Sequence, residues 1–429
     1  MRVLLSTYGS RGDVEPLAGL GVALQKCGVE TTVCAPADQE FVELLERAGV
    51  PLAPAFSPVR EWAVKAMANR EKMDFPKRAA EIIAAQFDAI SAAAEGCDLI
   101  VATGLFPSTA AAKSVSEKFG IPYVYAAYCP YFVPSTHHRP HEYPGRLHPQ
   151  GITDNRMLWD LDVANMNALF GGAFNNHRAT IGLPAVENVR DYIFTSHPLL
   201  ACDPVLGPWK ATDLREVTQT GAWILSDERP LPDDLIAFIE AGPAPVYVGF
   251  GSMPMHASKD VAEIAINALR AQGCRAVLSR GWADLALIDD GNDCFFVGDI
   301  NQQALFSRMA AVIHHGGAGT TTTATRAGVP QLVVPQIADQ PYWATRVAEL
   351  GIGVAHNGPV PTFESLSAAL AIALDPATRK RAITVASTIR RDGAMIAAKL
   401  LIDSPSREGS VPFGCGGTSQ LVCQKRIDR

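Results

Sequence analysis

The chain has 429 residues, roughly three times the length of a typical single domain, so two domains are expected. Its composition is 48% hydrophobic and 19% charged, with 35 glycines and 30 prolines, which excludes a disordered or coiled-coil protein. The net charge of −7 argues against a nucleic-acid partner, because binding a phosphate backbone requires a basic face.

Neither targeting segments nor disulfides are indicated. The apolar run after Arg2 is too short for a signal peptide, and no stretch reaches the roughly 18 apolar residues of a membrane helix. The nine cysteines are scattered and none forms a C-x-x-C pair, which favours reduced thiols over a disulfide framework or a zinc site. We expect a cytoplasmic monomer without nucleic-acid or integral membrane contacts.

Short apolar runs alternate with amphipathic segments through the first half of the chain. The predicted strands are residues 2–7, 30–35, 98–103 and 122–125. The predicted helices are residues 15–27, 39–48, 76–94 and 108–118. Strands that alternate with helices predict a parallel sheet with helices on both faces, and ligands bind such sheets at the carboxyl ends of the strands.

The alternation stops in a proline- and histidine-rich stretch at residues 130–153 and resumes after a helical segment at 156–181. A loop of this length inside a compact domain is usually functional. The second half repeats the pattern, with strands at 245–250, 275–279, 295–298, 311–314 and 331–334. Its predicted helices are 258–272, 320–327, 339–350, 363–374 and one long helix from 377 to 402. Two α/β domains that enclose a cleft follow from this order.

The segment HHGGAGTT, residues 314–321, is the strongest local feature and lies between a strand and a helix. Its glycines let the backbone approach a ligand, and the following helix directs its amide groups and positive dipole end toward the same place. A diphosphate is the natural ligand, with His315, Thr320 and Thr321 as further donors. The alternative is a tight turn with a threonine cap.

Three other loops follow predicted strands or begin predicted helices. The turn GFGSMP, residues 249–254, presents Ser252 to the same phosphates or is a simple βα turn. In GSRGD, residues 9–13, Asp13 is either an N-cap of a helix that begins near Val14, with Pro16 in its first turn, or a general base whose pKa the helix end lowers. In ADQPYW, Asp339 and Gln340 suit a pair of vicinal sugar hydroxyls, or Asp339 caps the helix.

Two weaker patterns are interpreted as structural. Asp160 and Asp162 form a D-x-D triplet within a helical stretch, which we assign to a solvated helix face. The irregular spacing of the loop histidines predicts a solvent-facing loop and no metal site. These histidines are His137, His138, His141 and His148.

Together the loops resemble family 1 glycosyltransferases of the GT-B fold, and in particular the glycopeptide-antibiotic enzymes of the vancomycin and teicoplanin group. The resemblance rests on MRVLLSTYGSRGDVEPL, VYVGFGS, AAVIHHGGAGTT and AGVPQLVVPQIADQPY and extends to about Asp403. It implies an acceptor-binding Rossmann-like domain at 1–204, a linker at 205–221 and a nucleotide-sugar domain at 222–378. A C-terminal helix at 379–403 would return to the first domain, and 404–429 would be a disordered tail.

The resemblance also implies an inverting, metal-independent transfer in which Asp13 takes the proton of the acceptor hydroxyl. The donor, a UDP- or dTDP-sugar, is a co-substrate and no cofactor is implied. The implied donor-binding residues are Ser10, Arg11, Gly12, Ser252, His315, Gly316, Gly317, Ala318, Gly319, Thr320, Asp339 and Gln340.

One departure from the family pattern concerns the nucleobase. Many relatives place a tryptophan before the run that ends in the histidine loop, whereas this chain has FFVGDINQQALF with Val297 and Gly298 there. We therefore expect base recognition by the Val297 backbone with Arg280 or Trp282 nearby. Acceptor contacts are expected at 132–153 and 56–75.

The function that these features imply is glycosylation of a hydroxyl on a glycopeptide aglycone in antibiotic biosynthesis. Two alternatives remain: the same chemistry on a macrolide, polyketide or sterol, and a non-catalytic GT-B-like helper protein. The helper class tends to lose the base and the phosphate loop, and this chain retains both.

Overall fold

A computed structural model gives the fold and describes residues 1–68, 74–143, 145–253, 258–283, 285, 288–289 and 291–403. Two separate parallel sheets organise this part of the chain, one in each half, with helices on both faces. The two predicted α/β domains are therefore confirmed as Rossmann-like units. The predicted tail, residues 404–429, lies outside the described residues.

Within the described residues, the N-terminal sheet has seven strands in the order β3-β2-β1-β4-β5-β6-β7, and each paired neighbour is parallel. Its strands are β1 (Arg2–Ser6), β2 (Glu30–Ala35), β3 (Leu52–Pro54), β4 (Leu99–Ala102), β5 (Tyr123–Ala127), β6 (Leu199–Leu200) and β7 (Thr218–Gln219). The central strands are short apolar runs, because both faces of a parallel sheet are covered by helices. All four residues of β4 are buried.

The C-terminal sheet, as far as the chain is described, has six parallel strands in the order β10-β9-β8-β11-β12-β13. Its strands are β8 (Val246–Gly249), β9 (Ala276–Ser279), β10 (Cys294–Val297), β11 (Ala311–His314), β12 (Gln331–Val333) and β13 (Gly353–Ala355). Strand β10 lies at one edge of this sheet, and the fully buried strands β8 and β11 are neighbours at its centre.

The helices cover both sheets. In the first half they are α1 (Arg11–Lys26), α2 (Gln39–Ala48), α3 (Val59–Ala68), α4 (Phe75–Ala93), α5 (Phe106–Phe119), α6 (Asn155–Met166), α7 (Gly172–Thr180) and α8 (Val189–Tyr192). In the second half they are α9 (Asp233–Glu240), α10 (Ser258–Ala271), α11 (Gln302–Phe306), α12 (Ala318–Arg326), α13 (Gln340–Glu349), α14 (Phe363–Ala373), α15 (Pro376–Ala386) and α16 (Gly393–Asp403). Among the described residues, no helix combines the length and apolarity needed to span a membrane.

Two predicted helices differ from the structure. The long helix expected at 377–402 is two helices, α15 and α16, separated by residues 387–392. Helix α1 begins at Arg11 rather than near Val14, so Pro16 lies inside the helix and not in its first turn. Proline has no N–H, so the Gly12 carbonyl four residues earlier loses its helical hydrogen bond.

The last helix packs on the first domain. Ala397, Ala398 and Leu401 of α16 share a buried cluster with Leu17 and Leu20 of α1. The chain reaches α16 through a close backbone contact, because a Cβ at Gly221 would lie 3.1 Å from the Cα of Gly393. The arrangement agrees with a C-terminal helix that returns to the N-terminal domain, while the exact domain boundaries stay predictions.

Candidate active site

Both sheets have their topological switch point at the loops singled out in the sequence. In the N-terminal sheet β1 and β4 are central neighbours, and the loop with Ser10 and Asp13 follows β1. In the C-terminal sheet β8 and β11 are central neighbours, and the loops with Ser252 and His315 follow them. Ligands bind open α/β sheets at such points, beyond the carboxyl ends of the strands.

Asp13 lies in the first turn of α1 and does not cap it. The N-cap is Ser10, and Asp13 is the third helical residue. Its Oδ2 accepts a hydrogen bond from the Ser10 backbone N–H at 2.9 Å, which closes the reciprocal turn of a capping box. The Tyr128 hydroxyl donates to the Asp13 backbone carbonyl at 3.1 Å and ties this turn to the end of β5. The N-cap prediction for Asp13 was therefore wrong by three residues.

The pKa of Asp13 moves in the direction opposite to the expectation from the helix end. Burial raises the pKa to about 6, the hydrogen bond from Ser10 lowers it, and the charge of Asp339 raises it further. Desolvation outweighs the helix end because a carboxylate at the bottom of a cleft loses much of its hydration. A pKa near 6 still leaves the group ionised at neutral pH and makes it a stronger base than an ordinary aspartate.

Two glycines leave room for the Asp13 carboxylate. A Cβ built on Gly9 would lie 2.5 Å from Asp13 Cγ and closer still to Oδ2. Gly104, which follows β4 and has a φ of +98°, would place a Cβ 2.9 Å from Thr7 Oγ1 and 3.6 Å from Asp13 Oδ1. Neither glycine was singled out by sequence reasoning, because their need for space depends on a carboxylate in a neighbouring turn.

The two histidines at the end of β11 have different environments. His314 is fully buried, and its ring accepts from the Gly316 N–H at 3.1 Å and pairs with Gln331 at 3.0 Å, so it is a structural residue. The His315 ring lies against Gly317, whose Cβ would come within 2.6 Å of Nε2. Burial lowers the pKa of His315 to about 4, and its buried Nδ1 has no partner among the described residues. A neutral imidazole with one uncommitted nitrogen is thus placed beside the helix.

The first turn of α12 follows directly. Gly317 is its N-cap, and the amides of Ala318, Gly319 and Thr320 have no acceptor within the helix because of their position in the first turn. Thr321 is different: it is fully buried and its hydroxyl donates to the Gly317 carbonyl at 2.8 Å. The expectation that Thr321 offers a hydroxyl to phosphate was therefore wrong.

The turn after β8 packs against the histidine loop. Gly251 has a φ of +54°, and a Cβ there would lie 3.0 Å from Cε1 of His315. Its carbonyl accepts from the Trp282 backbone N–H at 2.8 Å. The half-buried Ser252 comes next in this turn, so it lies beside the loop that it was predicted to assist.

Asp339 and Gln340 stand at the start of α13. Oδ2 of Asp339 accepts from the Trp343 indole at 2.8 Å, and Oε1 of Gln340 accepts from the Gln336 and Ile337 amides at 2.8 and 3.2 Å. These bonds fix both side chains and leave one carboxylate oxygen of Asp339 and the NH₂ group of Gln340 for a ligand. Burial raises the pKa of Asp339 to about 6.

Backbone geometry holds this pair against the histidine loop. Ala338 has a φ of +57°, a left-handed conformation that costs energy for any residue with a side chain. Gly316 has a φ of +93°, and a Cβ there would lie 2.7 Å from Val333 Cγ1 and 3.1 Å from the Gln340 carbonyl. Strained backbone of this kind is concentrated at functional sites.

The residues expected near a nucleobase are largely committed to other contacts. The Val297 carbonyl accepts from the Arg280 N–H at 3.2 Å, and the Val297 side chain is buried, so both groups are already occupied. Strand β10 ends at Val297, and Gly298 is the first residue beyond it. The Arg280 guanidinium lies over the Phe296 ring at 5.1 Å. Trp282 is 8% exposed, and its indole donates to Glu40 of α2 at 2.6 Å. Trp282 thus joins the two halves of the chain.

Among the remaining residues of GSRGD, Arg11 contacts the other domain. Gly12 is exposed in the first turn of α1, and Ser10 is half-buried beside it. Arg11 donates through Nε to Glu15 and through Nη1 to Asp299, each at 2.7 Å. Arg11 therefore crosses the cleft.

The two patterns interpreted as solvent-exposed are partly buried. Asp162 is 4% exposed and lies 4.0 Å from Arg190, whereas Asp160 is exposed as expected. The His138 ring donates through Nε2 to the Val133 carbonyl at 3.0 Å and packs on Trp159. Within the described residues, no group of side chains is suited to a metal ion.

Comparison with known proteins places the fold in context. Residues 3–137 match the model of the glycosyltransferase family 28 N-terminal domain, and residues 286–395 match that of the erythromycin biosynthesis protein CIII-like C-terminal domain. The chain is 52% identical over 408 residues to the vancomycin aglycone glucosyltransferase of Amycolatopsis orientalis, covering 95% of this chain and 98% of that one. It is 50% identical to the dTDP-epi-vancosaminyltransferase of the same organism, covering 95% and 98% of the two chains.

A solved structure agrees on the architecture. The glycosyltransferase VinC in complex with dTDP superimposes with a TM-score of 0.64 at 18% identity, covering 95% of this chain and all of that one. This likeness confirms the expected GT-B architecture, and the sequence identity to the named glycosyltransferases confirms the predicted glycosyltransferase activity. The chain belongs to the glycosyltransferase family that includes the Amycolatopsis glycopeptide-antibiotic enzymes.

Proposed function

We propose that the protein transfers a sugar from a UDP- or dTDP-sugar to a hydroxyl of a glycopeptide aglycone with inversion at the anomeric carbon. The observation that carries the proposal is the 52% identity, over 95% of this chain, to the vancomycin aglycone glucosyltransferase. Asp13 and Asp339 lie on different domains, and the charge of Asp339 raises the pKa of Asp13. A sugar held by Asp339 and Gln340 is thus within the electrostatic reach of the base.

The bond changes follow from this arrangement. The acceptor hydroxyl donates its proton to the Asp13 carboxylate as its oxygen attacks the anomeric carbon. The bond from that carbon to the diphosphate oxygen breaks on the opposite face, and the electron pair leaves with the diphosphate. Asp13 suits this task because its Oδ2 is fixed by the Ser10 amide while Oδ1 points toward Gly104.

The departing diphosphate carries the developing negative charge. We assign it to the first turn of α12, where Ala318, Gly319 and Thr320 present backbone amides and the positive end of the helix dipole. His315 and Ser252 lie beside that turn and supply further donors. Local groups of this kind hold two phosphates although the chain is acidic overall.

The nucleobase is assigned to the end of the edge strand β10. Because the Val297 carbonyl is bonded within the sheet, we transfer the expected backbone contact from Val297 to the exposed Gly298. A Cβ at Gly298 meets no atom within 4 Å, so a planar ring has room to approach this backbone. Arg280, stacked on Phe296, borders the same place.

The acceptor is assigned to the N-terminal domain. This domain carries exposed apolar side chains, with Leu105 at 55%, Phe132 at 37% and Leu147 at 71% exposure. Leu105 directly follows Gly104 and is therefore close to Asp13. A large aromatic aglycone covers such side chains, and removal of their apolar surface from water favours binding.

The test compares Asp13→Ala with Asp160→Asn, a control change at an exposed carboxylate on α6. We expect Asp13→Ala to lower kcat at least a hundredfold, with UDP or dTDP affinity within threefold of the parent by calorimetry. Asp160→Asn should leave both quantities unchanged. Near-normal turnover in Asp13→Ala would remove Asp13 from its assigned role.

A further inference from the structure

Three arginines converge on one carboxylate at the mouth of the cleft. Asp299, two residues beyond the end of β10, accepts from Arg11 at 2.7 Å, from Arg229 at 2.9 Å and from Arg47 at 3.5 Å. The arginines come from different parts of the chain: Arg11 from α1, Arg47 from α2, and Arg229 from the segment before α9. Asp299 therefore joins the two domains.

The arginines are themselves held in place. Arg229 makes a forked contact with Asp227, at 2.6 Å from Nη2 and 2.9 Å from Nε. The Asn301 side chain donates to the carbonyls of Asp227 and Arg229 at 2.9 and 2.7 Å, which fixes this segment to the C-terminal domain. Arg11 is oriented by Glu15, one helical turn further along α1.

The group is more than an ordinary surface ion pair. A single exposed pair contributes about 0–1 kcal/mol, but several charges in fixed geometry act as a network. Burial raises the pKa of Asp299, yet the neighbouring guanidinium groups of Arg11 and Arg229 outweigh it, and the net pKa is lowered. The ionised form of Asp299 is therefore favoured by the same arginines that it holds.

The position of Arg11 connects this network to the chemistry. Arg11 is the first residue of α1, and Asp13 lies in the same helical turn. Its Nε and Nη1 are taken by Glu15 and Asp299, and Nη2 has no acceptor among the described residues. A guanidinium fixed by two of its nitrogens presents the third in a defined direction.

We propose that Asp299 is a positioning residue, which holds Arg11 and with it the first turn of α1 against the nucleotide edge of the C-terminal domain. In this arrangement the remaining Nη2 of Arg11 faces the donor diphosphate, and Asp13 keeps its distance to the sugar. The inference rests on the proposed function and adds to it the element that aligns base and donor.

The test uses Asp299→Asn and, as its matched control, Asp293→Asn. Asp293 immediately precedes the same edge strand and pairs with Arg270 at 2.7 Å within its own domain, so its loss leaves the contact between the domains intact. The first readout is hydrogen exchange of the α1 amides of Val14, Glu15 and Leu17 without substrate. The second readout is the kcat/KM for the donor, with the KM for the acceptor measured alongside it.

We expect Asp299→Asn to speed exchange in α1 at least fivefold and to lower donor kcat/KM about tenfold, as for one lost charge-assisted hydrogen bond, while acceptor KM stays within twofold. Asp293→Asn should match the parent in both readouts. Unchanged exchange overturns the proposal, and so does faster exchange with unchanged donor kcat/KM, because Asp299 would then be structural only.

Failure of the proposed function is recognisable separately. A parent protein that transfers no sugar contradicts the proposed function alone. The Asp299 proposal is then decided by the exchange measurement together with calorimetric titration of UDP and dTDP, for which Asp299→Asn should weaken binding about tenfold. Equal nucleotide affinity in the parent and in Asp299→Asn would overturn it.

Discussion

Substitution of Gly9 by alanine tests how the base is held, because the new methyl group would occupy the place of the Asp13 carboxylate. Gly9 is outside the group of residues with positive φ, so alanine suits its backbone. The added Cβ would lie 2.5 Å from Asp13 Cγ, about 1 Å less than a normal carbon–carbon contact. The Asp13 side chain therefore has to rotate away from its present position.

The magnitude follows from what this rotation breaks. The Ser10 N–H loses its 2.9 Å acceptor, and an unsatisfied buried amide costs about 1–3 kcal/mol, partly offset by the roughly 0.4–1 kcal/mol gained when alanine replaces glycine. Stability should therefore fall by only about 1–2 kcal/mol. Activity should fall far more, because a displaced general base forfeits about 10²–10⁴ in rate.

The assay measures nucleoside diphosphate release at saturating donor and acceptor, with thermal unfolding to verify the fold. Gly9→Ala should lower kcat at least a hundredfold in the parent but less than threefold in an Asp13→Ala background, where the obstructed carboxylate is absent. Gly172→Ala is the control, since a Cβ at this exposed helical glycine meets nothing within 4 Å. A Gly9→Ala enzyme with more than half the parent kcat would refute the steric argument.

Further predictions concern pH, the donor loops and strain. Donor kcat/KM should rise with pH through an apparent pKa of about 6, because Asp13 accepts a proton only when ionised. At saturating donor, kcat should likewise rise with pH, and Asp339→Asn should shift this rise to lower pH, since it removes a charge that raises the pKa of Asp13. An unshifted kcat profile would contradict the assigned proximity of Asp13 and Asp339. Gly317→Ala should raise donor KM at least tenfold, because its Cβ would lie 2.6 Å from His315 Nε2; an unchanged KM, measured beside Gly172→Ala, excludes His315 from donor binding. Ala338→Gly should stabilise the protein by about 0.5–1 kcal/mol in thermal unfolding, as left-handed strain is released at some entropic cost, and a lower Tm would contradict this.

Local patterns sufficed for most of the architecture and for the donor loops. The strand at 30–35, the helix at 39–48 and the strand at 311–314 were predicted to the residue, because each is a periodic apolar run bounded by turn residues. The glycines around His315 could also be interpreted from the sequence, as a loop that binds a ligand. Their spacing between a strand and a helix is itself the signal for backbone that approaches a ligand.

The start of α1 was misjudged because two local signals compete. Asp13 is a good N-cap and Pro16 is typical of a first turn, yet Ser10 with Asp13 three residues later is a capping pair of its own. Asp162 was misjudged since burial on a helix depends on what packs against it, here Arg190.

Long-range electrostatics had no local signal at all. Arg11 and Asp299 are separated by 288 positions, and the burial that raises the pKa of Asp13 is provided by elements brought together only in the folded chain. The sequence could therefore propose Asp13 as a base. It could not predict that the pKa of Asp13 is raised, or that Asp299 pairs with Arg11 across the cleft.

The most direct test of the central claim is a mass spectrum of the products formed from vancomycin- and teicoplanin-type aglycones. Each aglycone is incubated with UDP-glucose, UDP-N-acetylglucosamine or a dTDP-deoxysugar, beside a macrolide, a polyketide and a sterol as competing acceptors. The account predicts the mass of one added sugar on a glycopeptide aglycone, with free nucleoside diphosphate appearing only when that acceptor is present. Sugar addition to the lipophilic acceptors alone, or no addition to any acceptor, would contradict it.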